Sequence, residues 1–250
     1  LLGRTAPNYQ KVYEYLTMGL YDLDDQTFFD GVFALNPGHL AAVACGREEV
    51  SLTSTQWSDS VPPEAVEIDF DRAVSTVREL FLNSIDLHLR SDAPVAVALS
   101  GGVDSSGIVG ALRHLYPDRE INTFSYVSPG FVKDESEWAS RVSTGLGTIH
   151  SQVTVSPSDA IDHLNLVVRR QGEPTNSSSV LAQSLLYRSV AHNGFKVMLD
   201  GQGADELFAG YSGYPEFRLR SLLSQQRFSD ALRLALKWRS AAPERSLTGL

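Results

Sequence analysis

The sequence holds one cysteine, two methionines and three tryptophans in 250 residues. The lone thiol, Cys45, has no internal partner for a disulfide, which excludes a disulfide-stapled secreted module and suits a reducing cytoplasm. Cys45 ends an apolar run, residues 40–45, and is expected in the core. No stretch approaches the roughly 18–20 apolar residues of a membrane span, and no basic segment followed by an apolar one opens the chain. Positive charge is scarce too: 21 Lys and Arg stand against 30 Asp and Glu, a formal charge of −9. No basic stripe is available to neutralise a nucleic-acid backbone, so that class of partner is excluded along with the membrane. What remains is a soluble chain of ordinary apolar content, 42%, long enough for one large domain or two modest ones.

A lysine is also missing where a common phosphate loop would need one. Residues 95–99 are short, uncharged and rich in Val, which predicts a strand buried on both faces of a parallel sheet. Ser100, Gly101 and Gly102 then let the backbone turn so that several N–H groups converge on one anion, and a helix over 105–115 adds the positive end of its dipole. The G-x-x-x-x-G-K-[ST] pattern is absent. Asp104 stands there instead, and a carboxylate beside an anion is unfavourable unless a divalent cation lies between them, as a Mg-nucleotide supplies. A Gly-rich turn leading into an ordinary helix cap is the bland alternative. The pattern Ser-Gly-Gly-x-Asp-Ser resembles the signature of the N-type ATP pyrophosphatases, which split ATP between the α and β phosphates and adenylate a carboxylate or carbonyl-like oxygen.

The rest of the chain fits an α/β class. Apolar residues recur at helical spacing over 69–90, and strands over 121–127 and around 149–155 alternate with helices over 135–146 and 158–170. That alternation predicts βαβ units, hence a mostly parallel sheet with helices on both faces and its ligand at the carboxyl ends of the strands. A second strand, 197–199, opens into a Gly-spaced loop bearing Asp200, Asp205 and Glu206. Asp104 and Asp205 could share one or two Mg²⁺ on a triphosphate. Alternatively, Asp205 and Glu206 are an acidic helix start that complements the dipole. Upstream, residues 9–20 predict an amphipathic helix with Val12, Tyr15, Leu16 and Leu20 on one face. Residues 36–38 predict a turn into a strand over 40–45, and the proline-bearing stretch 58–67 a linker. A helix-like stretch over 228–238 comes near the end. A first residue that is Leu, and a last stretch without a closing element, point to a fragment.

Taken together, S-G-G-V-D-S-S over 100–106 and G-Q-G-A-D-E-L-F-A-G-Y over 201–211 resemble the synthetase domain of the glutamine-hydrolysing asparagine synthetases. D-E-S-E-W-A over 134–139, Gly172-Glu173-Pro174 and Ser177 to Ser179 resemble further motifs of that family. Residues 27–39 resemble the end of a class II glutamine amidotransferase domain, with Gln56-Trp57 at a matching aromatic position. The resemblance implies a remnant of that domain plus linker over 1–60, β-rich and partial. Over 61–250 it implies an adenine nucleotide alpha hydrolase-like domain cut short at its end.

It also implies that Ser100, Gly101, Gly102, Asp104, Ser105 and Ser106 cradle the pyrophosphate of ATP and its Mg²⁺. Leu99, Tyr126, Asp200 and Gly201 would frame adenine and ribose, and Asp205 would be the second metal-facing carboxylate. Glu173, Ser177, Asp205 and Glu206 would meet the substrate. The implied partners are small molecules, an amino acid with glutamine or ammonia, and a homodimer or a separate glutaminase part. One departure bears on mechanism: the residue between the first two glycines of the second loop is Gln202, where asparagine synthetases carry Glu, and an amide cannot serve as a base. Three readings stay open: an asparagine-forming ligase, a related lactam-forming synthetase or peptide cyclase, and a nucleotide-binding fragment without ligase activity.

Overall fold

The computed structural model describes residues 5–45, 50–58, 68–127, 134–175 and 177–241. Most of the expected linker, residues 59–67, lies outside them, as do Phe131 to Lys133 ahead of the D-E-S-E-W-A motif and residues 242–250. The chain forms two compact units, one of residues 1–83 with 155–185, the other of residues 84–154 with 186–250.

The first unit opens with α1 (Tyr9–Met18), capped by the Asn8 side chain and ended by Gly19 in the left-handed region. Its inner face differs from expectation. Val12 and Tyr15 are half-buried, but Leu16 is exposed, and the most buried residue is Lys11, whose amine pairs with Asp24 at 2.7 Å and Glu14 at 3.4 Å. The hydrogen bond to Asp24 holds Lys11 above the usual lysine range and Asp24 below the usual carboxylate range. Tyr15 packs edge-on against Phe28, with ring centroids 5.5 Å apart, and donates to the Thr175 carbonyl at 2.8 Å.

The strands β1 (His39–Cys45) and β2 (Val50–Gln56) form an antiparallel pair in direct register, His39 opposite Gln56. Cys45 is exposed, against the expectation of a core position. The reason is that residues 40–45 are exposed on both faces of a two-stranded ribbon, which among the described residues has no second layer to bury its apolar side. Most of α2 (Phe70–His88) also belongs to this unit, with α5 (Pro157–Gln171) and the first half of α6 (Ser178–His192). A Ser156–Asp159 capping box starts α5, and its His163 meets Ser184 of α6 at 3.2 Å.

The second unit is built on a four-stranded sheet in the order β5–β4–β3–β6, with β3 (Val95–Ala98), β4 (Asn122–Val127), β5 (Ile149–Thr154) and β6 (Val197–Leu199), all parallel. The α/β class with a mostly parallel sheet is therefore as the sequence predicts. On one face Ala96 and Phe124 pack against Leu186 and Val190 of α6, with Phe195 edge-on to Phe124 at 5.7 Å. A side chain such as Phe124, 2% exposed, stabilises by about 1.5–3 kcal/mol when buried. Val153 belongs to that same face; its neighbour Gln152 points the other way and donates to Ser140 of α4 (Ser136–Leu146) at 3.1 Å. Helices therefore cover both faces.

Between β3 and β4 runs α3 (Val103–Leu115), which buries Ile108, Val109, Ala111 and Leu112. Arg113 near its end donates to four carbonyls, Leu146, Gly147, Pro117 and Arg119, at 2.6–2.9 Å, and so caps the C-terminus of α4 as well as its own exit turn. After β6 come α7 (Ala204–Phe208) and a hairpin of α8 (Tyr214–Ser224) and α9 (Phe228–Ala241), joined by Leu219, Leu222 and Ala231.

Candidate nucleotide site

The site is set by the order of the sheet. Because β3 lies between β4 and β6 and all three run parallel, Tyr126, Leu99 and Asp200 reach the same edge of the sheet. This is the edge at which ligands of such sheets bind.

The loop after β3 is fixed from within. Ser100 accepts from the Gly102 N–H at 3.2 Å, and its own N–H donates to Ser105 Oγ at 3.2 Å. The Ser100 and Ser105 hydroxyls meet at 3.0 Å, and Ser105 also donates to the Gly102 carbonyl at 3.3 Å. Ser105, buried, thus braces the loop. Gly101 sits at φ +89°, and a Cβ there would come within 2.5 Å of Ala139 N and Trp138 Cβ. The loop consequently rests directly on the first turn of α4, with no room for a side chain. The helix α3 begins at Val103, two residues before the expected start, with Gly102 as its cap. No side chain takes the cap position's hydrogen bond, so the first N–H groups of a 13-residue helix stay available to an anion. One turn in, the Ser106 hydroxyl is buried and has no partner.

The loop after β6 is built otherwise. Asp200 accepts from the Gln202 N–H at 3.1 Å and from the Tyr187 hydroxyl at 3.1 Å. Burial, reinforced by the Asp200 charge, raises Tyr187. Gly201 faces the start of α3: a Cβ on it would stand 3.1 Å from Asp104 Cβ and 3.4 Å from Ser105 N. The two loops are therefore in contact at Asp104 and Gly201. Asp205 and Glu206 occupy the first turn of α7, as the acidic helix start predicts, but the helix has only five residues and none of them is buried. The Asp205 carboxylate lies against Gly210, where a Cβ would overlap it. Glu206 accepts from the Tyr211 hydroxyl at 2.7 Å, which lowers Glu206 and pushes the Tyr211 phenol up to about 12. Tyr211 in turn stacks on Tyr214, 6.1 Å between centroids.

Among the expected residues, Leu99 to Ser106, Asp200, Gly201 and Tyr126 thus share one sheet edge, while Gln202 is exposed on the tip of the second loop. Glu173 and Ser177 lie in the first unit, between α5 and α6. Ser177 accepts from the Ser179 N–H at 3.1 Å and serves locally as the cap of α6. Among the described residues no three His, Cys, Asp or Glu side chains gather into a group that could hold a metal ion by themselves.

Several participants escape the sequence reading. Trp138 under Gly101, Tyr187 on Asp200 and Tyr211 on Glu206 act as props. Trp138 and Tyr211 are at least inside the recognised motifs, whereas Tyr187 carries no local signal.

Residues 76–249 match the family profile described as asparagine synthase. Among curated relatives, an asparagine synthetase of Bacillus subtilis is 31% identical over 151 residues, covering 60% of this chain and 23% of the relative. A second one from that organism is 30% identical over 212 residues, 76% of this chain and 34% of the relative. An amidase of Gibberella zeae is 28% identical over 208 residues, 77% and 31%. The chain thus spans between 23% and 34% of the length of these relatives. Among solved structures, an NH3-dependent NAD synthetase of Campylobacter jejuni matches over 58% of this chain and 62% of that one, at 18% identity and a TM-score of 0.37.

Proposed function

The chain belongs to the asparagine synthase family, and on that footing we propose that it carries the ATP site of an amide-forming ligase. In this reading a carboxylate, that of aspartate, attacks the α-phosphorus of ATP, pyrophosphate leaves, and ammonia derived from glutamine displaces AMP from the acyl-adenylate to give asparagine. The observation that carries the reading is the joining of two loops at Asp104 and Gly201, above a helix start that has free N–H groups and the unpartnered Ser106 hydroxyl. An oxyanion of phosphate is the ligand such donors fit.

Ser100, Gly101, Gly102 and Ser106 would hold the pyrophosphate, with Ser105 keeping the loop in shape. Leu99, Tyr126, Asp200 and Gly201 would frame the nucleoside. Magnesium fits the donor set in the way it is usually held, by one or two carboxylates plus substrate phosphates rather than a protein cage, with Asp104 and Asp205 as those carboxylates. When bound it neutralises charge on the leaving pyrophosphate. The protein's own contribution is alignment and charge stabilisation. Gln202, exposed on its loop, can hydrogen-bond the incoming amine but cannot take its proton. Glu173, Ser177 and Glu206 are proposed contacts to the acid or amine. Residues 1–60 read as the end of a class II glutaminase domain, followed by a synthetase domain. The setting is the cytoplasm, with a homodimer or a separate glutaminase part as partner.

Gln202 and the amidase-named relatives, matched over 77% of the chain, favour a second reading in which the activated acid is not aspartate. One assay separates the two. Exchange of labelled pyrophosphate into ATP is measured with Mg²⁺, with aspartate beside a panel of other acids, and with Asp104→Ala as control. Exchange with aspartate that vanishes in the control supports the first reading; exchange with another acid alone supports the second. No exchange while Mg-ATP still binds would sink the claim that this chain adenylates by itself.

A further inference from the structure

The phosphate loop is held from inside, but its first residue also leans on something outside it. Ser125 of β4, 2% exposed, donates its hydroxyl proton to the carbonyl of Leu99, the residue that leads into Ser100. Ser125 is itself met by His150 Nε2 of β5 at 3.3 Å, and His150 Nδ1 lies 3.0 Å from Thr123 Oγ1. Thr123, fully buried, continues to Thr148 at 3.0 Å, and Thr148 to Ser143 of α4 at 2.8 Å. The hydroxyl proton of Ser125 is committed to Leu99, so Ser125 can only accept from His150. That puts a proton on Nε2, and in the neutral ring Nδ1 accepts from Thr123. Every bond in the row then has one direction, from α4 through two strands to the base of the loop.

Such a row is expensive to bury unless every member is satisfied, and an apolar pair at 123 and 125 would fill a parallel sheet at less risk. Its position supplies the reason for it. The Leu99 carbonyl belongs to the same peptide as the Ser100 N–H that donates to Ser105, and that bond with the Ser100 hydroxyl shapes the loop. We propose that Ser125, held by His150, is a positioning residue for the phosphate loop: it fixes the Leu99–Ser100 peptide so that the loop is preorganised before nucleotide arrives. This rests on the reading of the loop as the ATP site, and the experiment separates the two.

Amide exchange at Ser100 and Gly102, followed by NMR on the full chain without nucleotide, is compared in wild type, Ser125→Ala and Thr123→Val. Mg-ATP binding is then measured by calorimetry on the same samples. The Val variant removes a buried hydroxyl from the same row but leaves the Ser125 bond to Leu99, so it controls for a merely structural loss. Ser125→Ala is expected to speed exchange at both amides about tenfold and to weaken ATP binding by a similar factor. Thr123→Val should lower the melting temperature while leaving both readouts within about twofold of wild type. His150→Ala, at a half-exposed position, removes the N–H that holds Ser125 and should speed exchange at both amides severalfold, whereas His150→Gln, which keeps an N–H donor, should stay close to wild type. Unchanged exchange in His150→Ala overturns the proposal where Ser125→Ala does not fold. Equal exchange in wild type and Ser125→Ala, or equal acceleration in Ser125→Ala and Thr123→Val, overturns the proposal. Failure of the wild-type chain to bind ATP would overturn the nucleotide reading while the exchange comparison still decides the role of Ser125.

Discussion

The two loops that meet at Asp104 and Gly201 look alike in sequence and are held in opposite ways. A Cβ added to Gly101 in the first loop meets backbone, at Ala139 N and Trp138 C, whereas one added to Gly210 beyond the second meets the end of the Asp205 side chain. The first loop feeds a 13-residue helix with five buried residues; the second feeds a five-residue helix with none. Its acids are held by phenols, Tyr187 on Asp200 and Tyr211 on Glu206, both from side chains that can turn. One loop is a fixed mould and the other a compliant flap of carboxylates. On the proposed reading, a phosphate, the same in every ATP, would suit the mould, while the second loop would adjust to the metal, acid and amine that arrive in turn.

Gly101→Ala is the change that should break the contrast most. A left-handed φ costs an L-residue about 1–2 kcal/mol and forced overpacking about 1–3 more. We therefore expect a lowered melting temperature and ATP binding weakened about a hundredfold or more. Calorimetry with Mg-ATP checks it, and near-normal binding would mean that the mould is not rigid. Gly210→Ala should act differently, since the Asp205 carboxylate can rotate away. Its melting curve should match wild type while pyrophosphate exchange falls about tenfold, as the proposed role of Asp205 as a metal-facing carboxylate requires. A stability loss without loss of exchange would make the second loop structural too.

Both loops are legible in the sequence because their chemistry is local. Apolar strands ending in Gly, hydroxyl and carboxylate announce an anion site, and α/β alternation fixes the edge on which both appear. What brings them into contact is the order β4–β3–β6, a long-range fact that no local pattern holds. Helix α6 passes unread for a related reason. Along α6, Leu181 and Leu185 fall in one unit and Leu186 and Val190 in the other, so the apolar residues serve two environments and no single stripe appears. Lys11 and Cys45 exchange the places that residue type predicts, the amine buried between two carboxylates and the thiol exposed on a ribbon. The Thr123–His150–Ser125 row had a faint signal, polar residues two apart in the strand expected over 121–127.

Smaller effects sharpen the comparison at single groups. Tyr211→Phe removes the larger of the two hydrogen bonds that lower Glu206, the other coming from its own backbone, so the carboxyl should rise toward the ordinary glutamate range, as NMR titration of its side chain would show. If Glu206 stays low without the phenol, the flap is held by something other than its tyrosine.

The smallest expected effect belongs to the mould. Burial lowers His150 below its ordinary 6.5, so the folded chain favours the neutral ring, in which Nδ1 accepts from Thr123. The unfolded chain, with the ordinary value, binds more protons once the pH falls under about 6.5. The contribution of His150 is therefore complete above that pH and is lost as the pH drops toward the lowered folded value. Melting temperatures between pH 7 and pH 5 should fall slightly more in wild type than in His150→Gln, where the ring is gone. Parallel curves would mean that His150 takes up its proton without disturbing the row. Ser125 would then keep its hold on Leu99 in either charge state, since a doubly protonated ring still donates from Nε2 and Thr123 has only to turn its hydroxyl toward the Ile149 carbonyl, 3.4 Å away.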